Sequence, residues 1–170
     1  MALKYAKSKF AAQGRDVIWK PNLTVAAVIE EKGRFLLVEE ISDNEIVINQ
    51  PAGHVEFGES LTQAVVRETL EETGYHFAPE ALIGVYYWHA RTNNTTYLRF
   101  AFTGKLIGHE PDRPLDDGIL NATWLTRDAL SAQETRHRSP IVIRCVDDYL
   151  AGIRHPLELI TTLIPLNTTS

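Results

Sequence analysis

The chain has 170 residues, 44% of them hydrophobic and 23% charged, with a net charge of −5. This length fits one domain able to bury roughly 70% of its unfolded surface, and the composition is that of an ordinary globule. The acidic balance argues against a large nucleic-acid footprint, a lone cysteine, Cys145, excludes an internal disulfide, and no stretch approaches the roughly 20 apolar residues that span a bilayer.

Residues 1–20 read as an N-terminal extension and residues 21–170 as the domain. The opening MALKYAKSKFAAQGRD carries four basic residues and one acid and lacks the apolar stretch of a secretory signal, so a cytoplasmic location is expected. A short helix with Leu3, Ala6 and Phe10 on one side would serve a structural or oligomer contact, which leaves monomer and homodimer both open. Asn-x-Ser/Thr triplets such as Asn94-Thr95-Thr96 then read as plain polar loop.

Residues 23–30 and 34–41 are β-rich runs around Glu31-Lys32-Gly33, a hairpin signal. Residues 45–48 form another short extended piece. A helix follows: Ser60 as N-cap with Gln63 three residues on is a capping box, and Gly74 tolerates the left-handed conformation that ends a helix. Residues 82–89 and 95–106 read as a strand pair around the turn 91–94, and 122–125 as a short strand. Ser139 as N-cap and Pro140 at the first position start a second helix, expected to reach Leu150 and stop near Gly152. Cys145 lies in its apolar run and reads as a small core residue, not a nucleophile.

The first helix carries the chemistry. At about 100° per residue, Glu68, Glu71 and Glu72 fall on one arc, where carboxylates repel by roughly 0.2–0.5 kcal/mol per pair. A chain that accepts this is offering oxygen ligands to a hard divalent cation. Val65, Val66, Thr69 and Leu70 form the less polar side, for packing on a sheet. Arg67, four residues before Glu71, can hold it by a charged hydrogen bond. The preceding segment, Gly53 to Gly58, is expected to be a loop that brings backbone close to a metal.

Gly53, Glu59, Arg67, Glu68, Glu71, Glu72 and Gly74 match the pattern G-x5-E-x7-R-E-U-x-E-E-x-G-U (U apolar), so the chain resembles the Nudix hydrolase superfamily. Thr69 and Tyr75 depart from aliphatic residues at two U positions, which concerns packing alone. NQPAGHVE before the helix, YLRFAF at 97–102, RSPIV at 138–142 and RHPLELI at 154–160 resemble the NudJ-type phosphatases within it. The resemblance implies an α/β Nudix fold, a mixed β-sheet sandwiched between α-helices. It also implies Mg²⁺, or Mn²⁺ in its place, held by Glu72 with Glu71, Glu68 and the Ala52 carbonyl. The catalytic set it implies is Glu68, Glu71 and Arg67, with Glu68 the first choice for general base and Glu71 the alternative. Glu59 is expected to anchor the loop or a second metal.

Outside the box, Asp116 and Asp117 read as a solvated turn, with a ligand or base role as the alternative, and Glu56 reads as solvent-facing. Arg91, Arg99 and Arg138 are candidates for phosphate contacts, Arg138 because it precedes a helix N-terminus. Trp88, Phe35 and Tyr97 would stack on a ring or serve as core, and His54 would touch substrate or fill space. The substrate implied is a small phosphorylated molecule: a nucleoside di- or triphosphate, or a pyrophosphorylated thiamine precursor. The alternatives are a narrower hydrolase releasing NMP and pyrophosphate from an NTP or acting on sugar nucleotides or capped RNA, and a ligand-sensing module without turnover. The intact carboxylate cluster speaks against the last.

Overall fold

β1 (Asn22–Ala27) is buried on both faces from Thr24 onward, as a central strand flanked by two layers must be. The structure is a computed structural model and describes residues 18–163. In its first sheet β1 lies between β5 (Ala52–His54), antiparallel to it, and β7 (Thr95–His109), parallel to it, with β6 (Tyr75–Ala90) at the edge. The second sheet is built on β3 (Arg34–Ser42). β8 (Ile119–Leu125) runs along one side of β3, and β2 (Glu30–Glu31) and β4 (Glu45–Asn49) share the other. Across the sheets lie α1 (Leu61–Thr73) and α3 (Ile141–Leu150), with the short α2 (Arg127–Ser131) beside α3.

Alternation along the strands assigns the two cores. Val25, Ala27, Ile29 and Leu36 pack with Ala64 and Val65 of α1. Val28, Phe35 and Leu37 face the other way and pack with Ile141, Val142, Cys145 and Val146 of α3. Full burial of such an aliphatic side chain stabilises by about 1.5–3 kcal/mol, so the sandwich rests on both helices. The expected α/β architecture, a mixed sheet between helices, is what forms, with the strands divided over two sheets.

Several boundaries differ from the sequence reading. The run 23–30 is split: β1 joins the first sheet, and the chain crosses at Val28 and Ile29 before β2 forms the expected hairpin with β3 at Lys32-Gly33. Gly53 lies in β5, so the stretch expected to be all loop begins as a strand. β6 starts at Tyr75, well before residue 82. Pro79 disguised it, but β6 is an edge strand and its register shifts between Pro79 and Ala81, where a missing N–H is tolerated. α2 was not foreseen, although Thr126 caps it by accepting from the Ala129 N–H at 3.1 Å. Ser139 does not cap α3: its hydroxyl has no partner and its carbonyl accepts from Val142 instead. Phe35 is core, 2% exposed, and cannot stack on a ligand. Cys145 is likewise core, and burial pushes its thiol up to about 11. The helix expected at Leu3, Ala6 and Phe10 lies outside the described residues. Among the described residues no helix is long and apolar enough to cross a membrane.

Candidate active site

Both ends of α1 are fixed, and this sets its rotational phase. Ser60 Oγ accepts from the Gln63 N–H at 3.1 Å and Gln63 Oε1 from the Ser60 N–H at 2.8 Å, while Gly74 ends the helix at φ 71°. The inward face is Ala64, Val65, Thr69 and Thr73, and it carries Glu68 and Glu72 into burial beside it. Val66 and Leu70, expected on that face, are only half-buried. Thr69 fits an apolar position because its hydroxyl is satisfied by the Val65 carbonyl at 2.7 Å. Tyr75 fits by stacking on His109, with ring centroids 3.9 Å apart.

Arg67 is the organising cation of the loop and helix. Its Nε and Nη2 fork onto both oxygens of Glu59, at 3.0 and 2.7 Å. Nη2 also donates to the His54 carbonyl at 3.0 Å, and Nη1 donates to Glu68 Oε1 at 2.8 Å and Glu71 Oε2 at 2.9 Å. The contact expected with Glu71 is present, and Glu59 and Glu68 are held as well. The bidentate Arg67 bond holds the Glu59 carboxyl below the usual range, and those bonds raise the guanidinium's own proton affinity. Glu59 Oε1 also accepts the Glu56 N–H at 2.7 Å, so this glutamate anchors the loop.

Glu72 is placed differently. Its Oε2 accepts the Ala52 N–H at 2.8 Å, and no cationic side chain pairs with it among the described residues. Burial, with Glu40, Glu68 and Asp116 adding repulsion, pushes its carboxyl up to about 9, against the pull of the Ala52 N–H. Glu68 is also raised, by burial first, then by Glu71 and Asp116, with Arg67 opposing. A buried, crowded set of carboxylates short of positive charge is what a divalent cation would complete, and the donors are the hard oxygens that Mg²⁺ or Mn²⁺ prefers. Among the described residues no three ligating side chains are yet drawn into a coordination cluster. Arg67 takes one oxygen of Glu68 and one of Glu71, and the remaining oxygens are the ones available to a metal.

These groups line one cleft of about 540 Å³. Glu68, Glu71, Glu72, Arg67, Ala52, Gly53 and His54 meet there with Arg99, Arg138, Trp88 and Tyr97 from distant parts of the chain. Trp88 and Tyr97, opposite each other on β6 and β7, stack at 5.6 Å. Asp116 is exposed at the start of a turn, with its carbonyl accepting from the Ile119 N–H, and it also lines the cleft, its own N–H donating to the Glu71 carbonyl at 3.0 Å. Glu56 is exposed yet also lines the cleft. Arg91 is exposed in the turn whose Thr92 and Asn93 line the cleft, and neither it nor Asp117 is itself among the lining residues. Glu40, Asn49 and Thr24 were missed. Thr24 and Glu40 belong to runs read only for their β pattern, and Asn49 is the first residue of the NQPAGHVE string, where it carried no assigned role.

Comparison with known proteins agrees with this geometry. The NUDIX domain family matches residues 20–145. Phosphatase NudJ from Escherichia coli strain K12 is 38% identical over 143 residues, covering 84% of this chain and 92% of that protein. A NUDIX hydrolase from Nitrosomonas europaea superposes with a TM-score of 0.83 at 52% identity, over 85% of this chain and 98% of that one. The MutT protein from Methanosarcina mazei Go1 superposes at 0.63 with 25% identity, covering 79% and 98%. Box, cleft and relatives together place the chain in the NUDIX family of hydrolases.

Proposed function

We propose that the chain is a Mg²⁺-dependent hydrolase of phosphoanhydride bonds in small phosphorylated molecules. The substrates are nucleoside di- and triphosphates or a pyrophosphorylated thiamine precursor, cleaved with release of orthophosphate. The observation that carries this reading is Glu72, buried at 7% exposure beside Glu68 and without a cationic partner among the described residues. Glu72, Glu71, Glu68 and the Ala52 carbonyl would hold the ion, with Mn²⁺ able to replace Mg²⁺. When bound, it polarises the phosphoryl oxygens and eases deprotonation of water.

The remaining work falls to side chains. Glu68 takes the proton of the attacking water. Glu71, held by the same Arg67 nitrogen, is the alternative. Water oxygen bonds to phosphorus, the bridging P–O bond breaks, and the electron pair leaves on the organic phosphate. Arg67 holds Glu68 and Glu71 in position throughout. The Trp88–Tyr97 pair gives the organic part of the substrate a flat apolar surface. The relative in Escherichia coli strain K12 is named a phosphatase, which supports orthophosphate release.

Product analysis by ³¹P NMR tests the reading. Orthophosphate is expected from both a nucleoside diphosphate and a triphosphate, abolished by EDTA and restored by Mg²⁺. Pyrophosphate plus a monophosphate from one nucleotide alone would overturn it in favour of a narrower enzyme.

Gly53→Ala gives a second check. A Cβ at Gly53 would collide with the Glu68 carboxylate carbon and with both its oxygens. The carboxylate is the free end of a flexible side chain and must move. A misplacement of about 1 Å in a catalytic group can cost ~100-fold. We expect kcat to fall by about that factor in Gly53→Ala while thermal unfolding changes little. An unchanged kcat would remove Glu68 from the chemistry.

A further inference from the structure

The cleft floor is the face of the first sheet, and its strand register sets out rows of side chains. Ala52, bonded to Glu72, pairs with Ala26. Two residues along, Thr24 pairs with both His54 and Arg99. Two further along, Asn22 pairs with Tyr97, which pairs with Trp88. Rows two residues apart are separated by about 6.7 Å. Arg99 therefore stands between the carboxylate cluster and the aromatic pair.

Arg99 is a buried guanidinium, 7% exposed, with no carboxylate at ion-pair distance among the described residues. Its Nη1 donates to Asn49 Oδ1 at 3.2 Å and its Nε has no partner among the described residues. Two other polar atoms of the cleft wall are buried and, among the described residues, unpartnered: Ser139 Oγ and Thr24 Oγ1. Ser139 lies two residues before the ten-residue α3, whose positive end is held against the end of β4 by Arg138 N–H to the Ile48 carbonyl at 2.9 Å. The same strand end carries Asn49, the partner of Arg99. Glu40 sets both arginines, accepting from Asn49 Nδ2 at 3.0 Å and from Arg138 Nη1 at 3.1 Å. Burying an unpaired charge and unpaired hydroxyls together is costly unless an anion completes them.

We propose that Arg99, Ser139 and Thr24, at the start of α3, form an anion subsite for the phosphoryl group that stays on the organic product. This rests on the reading of the cleft as a phosphoanhydride site. The attacked terminal phosphorus lies at the carboxylates, the inner phosphoryl group at Arg99, and the organic part at Trp88 and Tyr97. The Glu40–Asn49 pair positions the guanidinium and is not itself catalytic.

Inorganic phosphate titrated into the full chain in EDTA, followed by ³¹P line width and tryptophan fluorescence, tests this apart from turnover. Saturable binding is expected. It should be weakened about tenfold or more in Ser139→Ala and in Arg99→Lys with circular dichroism unchanged, and kept in Glu72→Gln. Ser139→Ala alone suffices if Arg99→Lys does not fold. No saturable binding, or binding indifferent to Ser139→Ala, overturns the subsite. Hydrolysis measured on the same samples separates the readings. Metal-dependent release of orthophosphate with phosphate binding insensitive to these variants sinks the subsite alone. Variant-sensitive phosphate binding without metal-dependent hydrolysis sinks the reaction and leaves the subsite standing.

Discussion

Glu72→Gln is expected to lower kcat by roughly 1,000-fold, the several kcal/mol that metal-assisted charge stabilisation supplies, while making the metal-free chain more stable. In the folded chain burial holds a proton on Glu72 up to about pH 9, against 4.5 for the free side chain. Between those values the folded state binds more protons than the unfolded state, so stability falls as pH rises from about 4.5 to about 9. Glutamine carries no charge to desolvate, and its amide oxygen can still accept the Ala52 N–H. In EDTA at pH 8 the variant should melt several degrees above the parent, about 2–4 °C for each kcal/mol recovered, and the gap should close near pH 4.5. Thermal melts across this pH range check it. Parallel curves for parent and variant would show that Glu72 is not forced into burial as a charge-starved carboxyl.

Arg67→Met is expected to unfold the region more than any other single change to the site. The methionine fills space but leaves the Glu59, Glu68 and Glu71 carboxylates facing each other and the His54 carbonyl unpaired. Breaking a buried pair costs about 3–5 kcal/mol. With Arg67 24% exposed, solvent screening brings the expectation to about 2–4 kcal/mol, read by urea unfolding. The stabilisation through Glu59, present above about pH 4.5 and lost on acidification, should go with it. Arg67→Lys should fall between, because an ammonium cannot fork onto Glu59 while reaching Glu68 and Glu71. Stability within 0.5 kcal/mol of the parent in Arg67→Met would deny it an organising role.

Sequence periodicity and spacing carried much of this molecule. The capping box at Ser60 and Gln63, the stop at Gly74 and the glutamate arc are local features, set by residues within one helix, so they were legible. The parts that failed depend on pairing across the chain. Whether β1 pairs with β3 or with β7 is decided by side chains 75 residues away, and no local pattern records it. Arg99 and Arg91 look alike in sequence. One is placed in the cleft by alternation along β7 and the other outside it by a turn. Asp116 is in an exposed turn as its sequence suggests, but its tie to the Glu71 carbonyl is a contact between elements that no local pattern records. Glu40 lies inside a β-rich run, where a polar residue signals an edge as readily as a site.

Mn²⁺ binding followed by electron paramagnetic resonance on the metal-stripped chain bears most directly on the carboxylate cluster. The parent should bind Mn²⁺ saturably, Mg²⁺ should displace it, and Glu72→Gln should weaken it by at least tenfold with the fold intact. Equal Mn²⁺ affinity in parent and Glu72→Gln would contradict the assignment of this cleft as a metal-dependent centre.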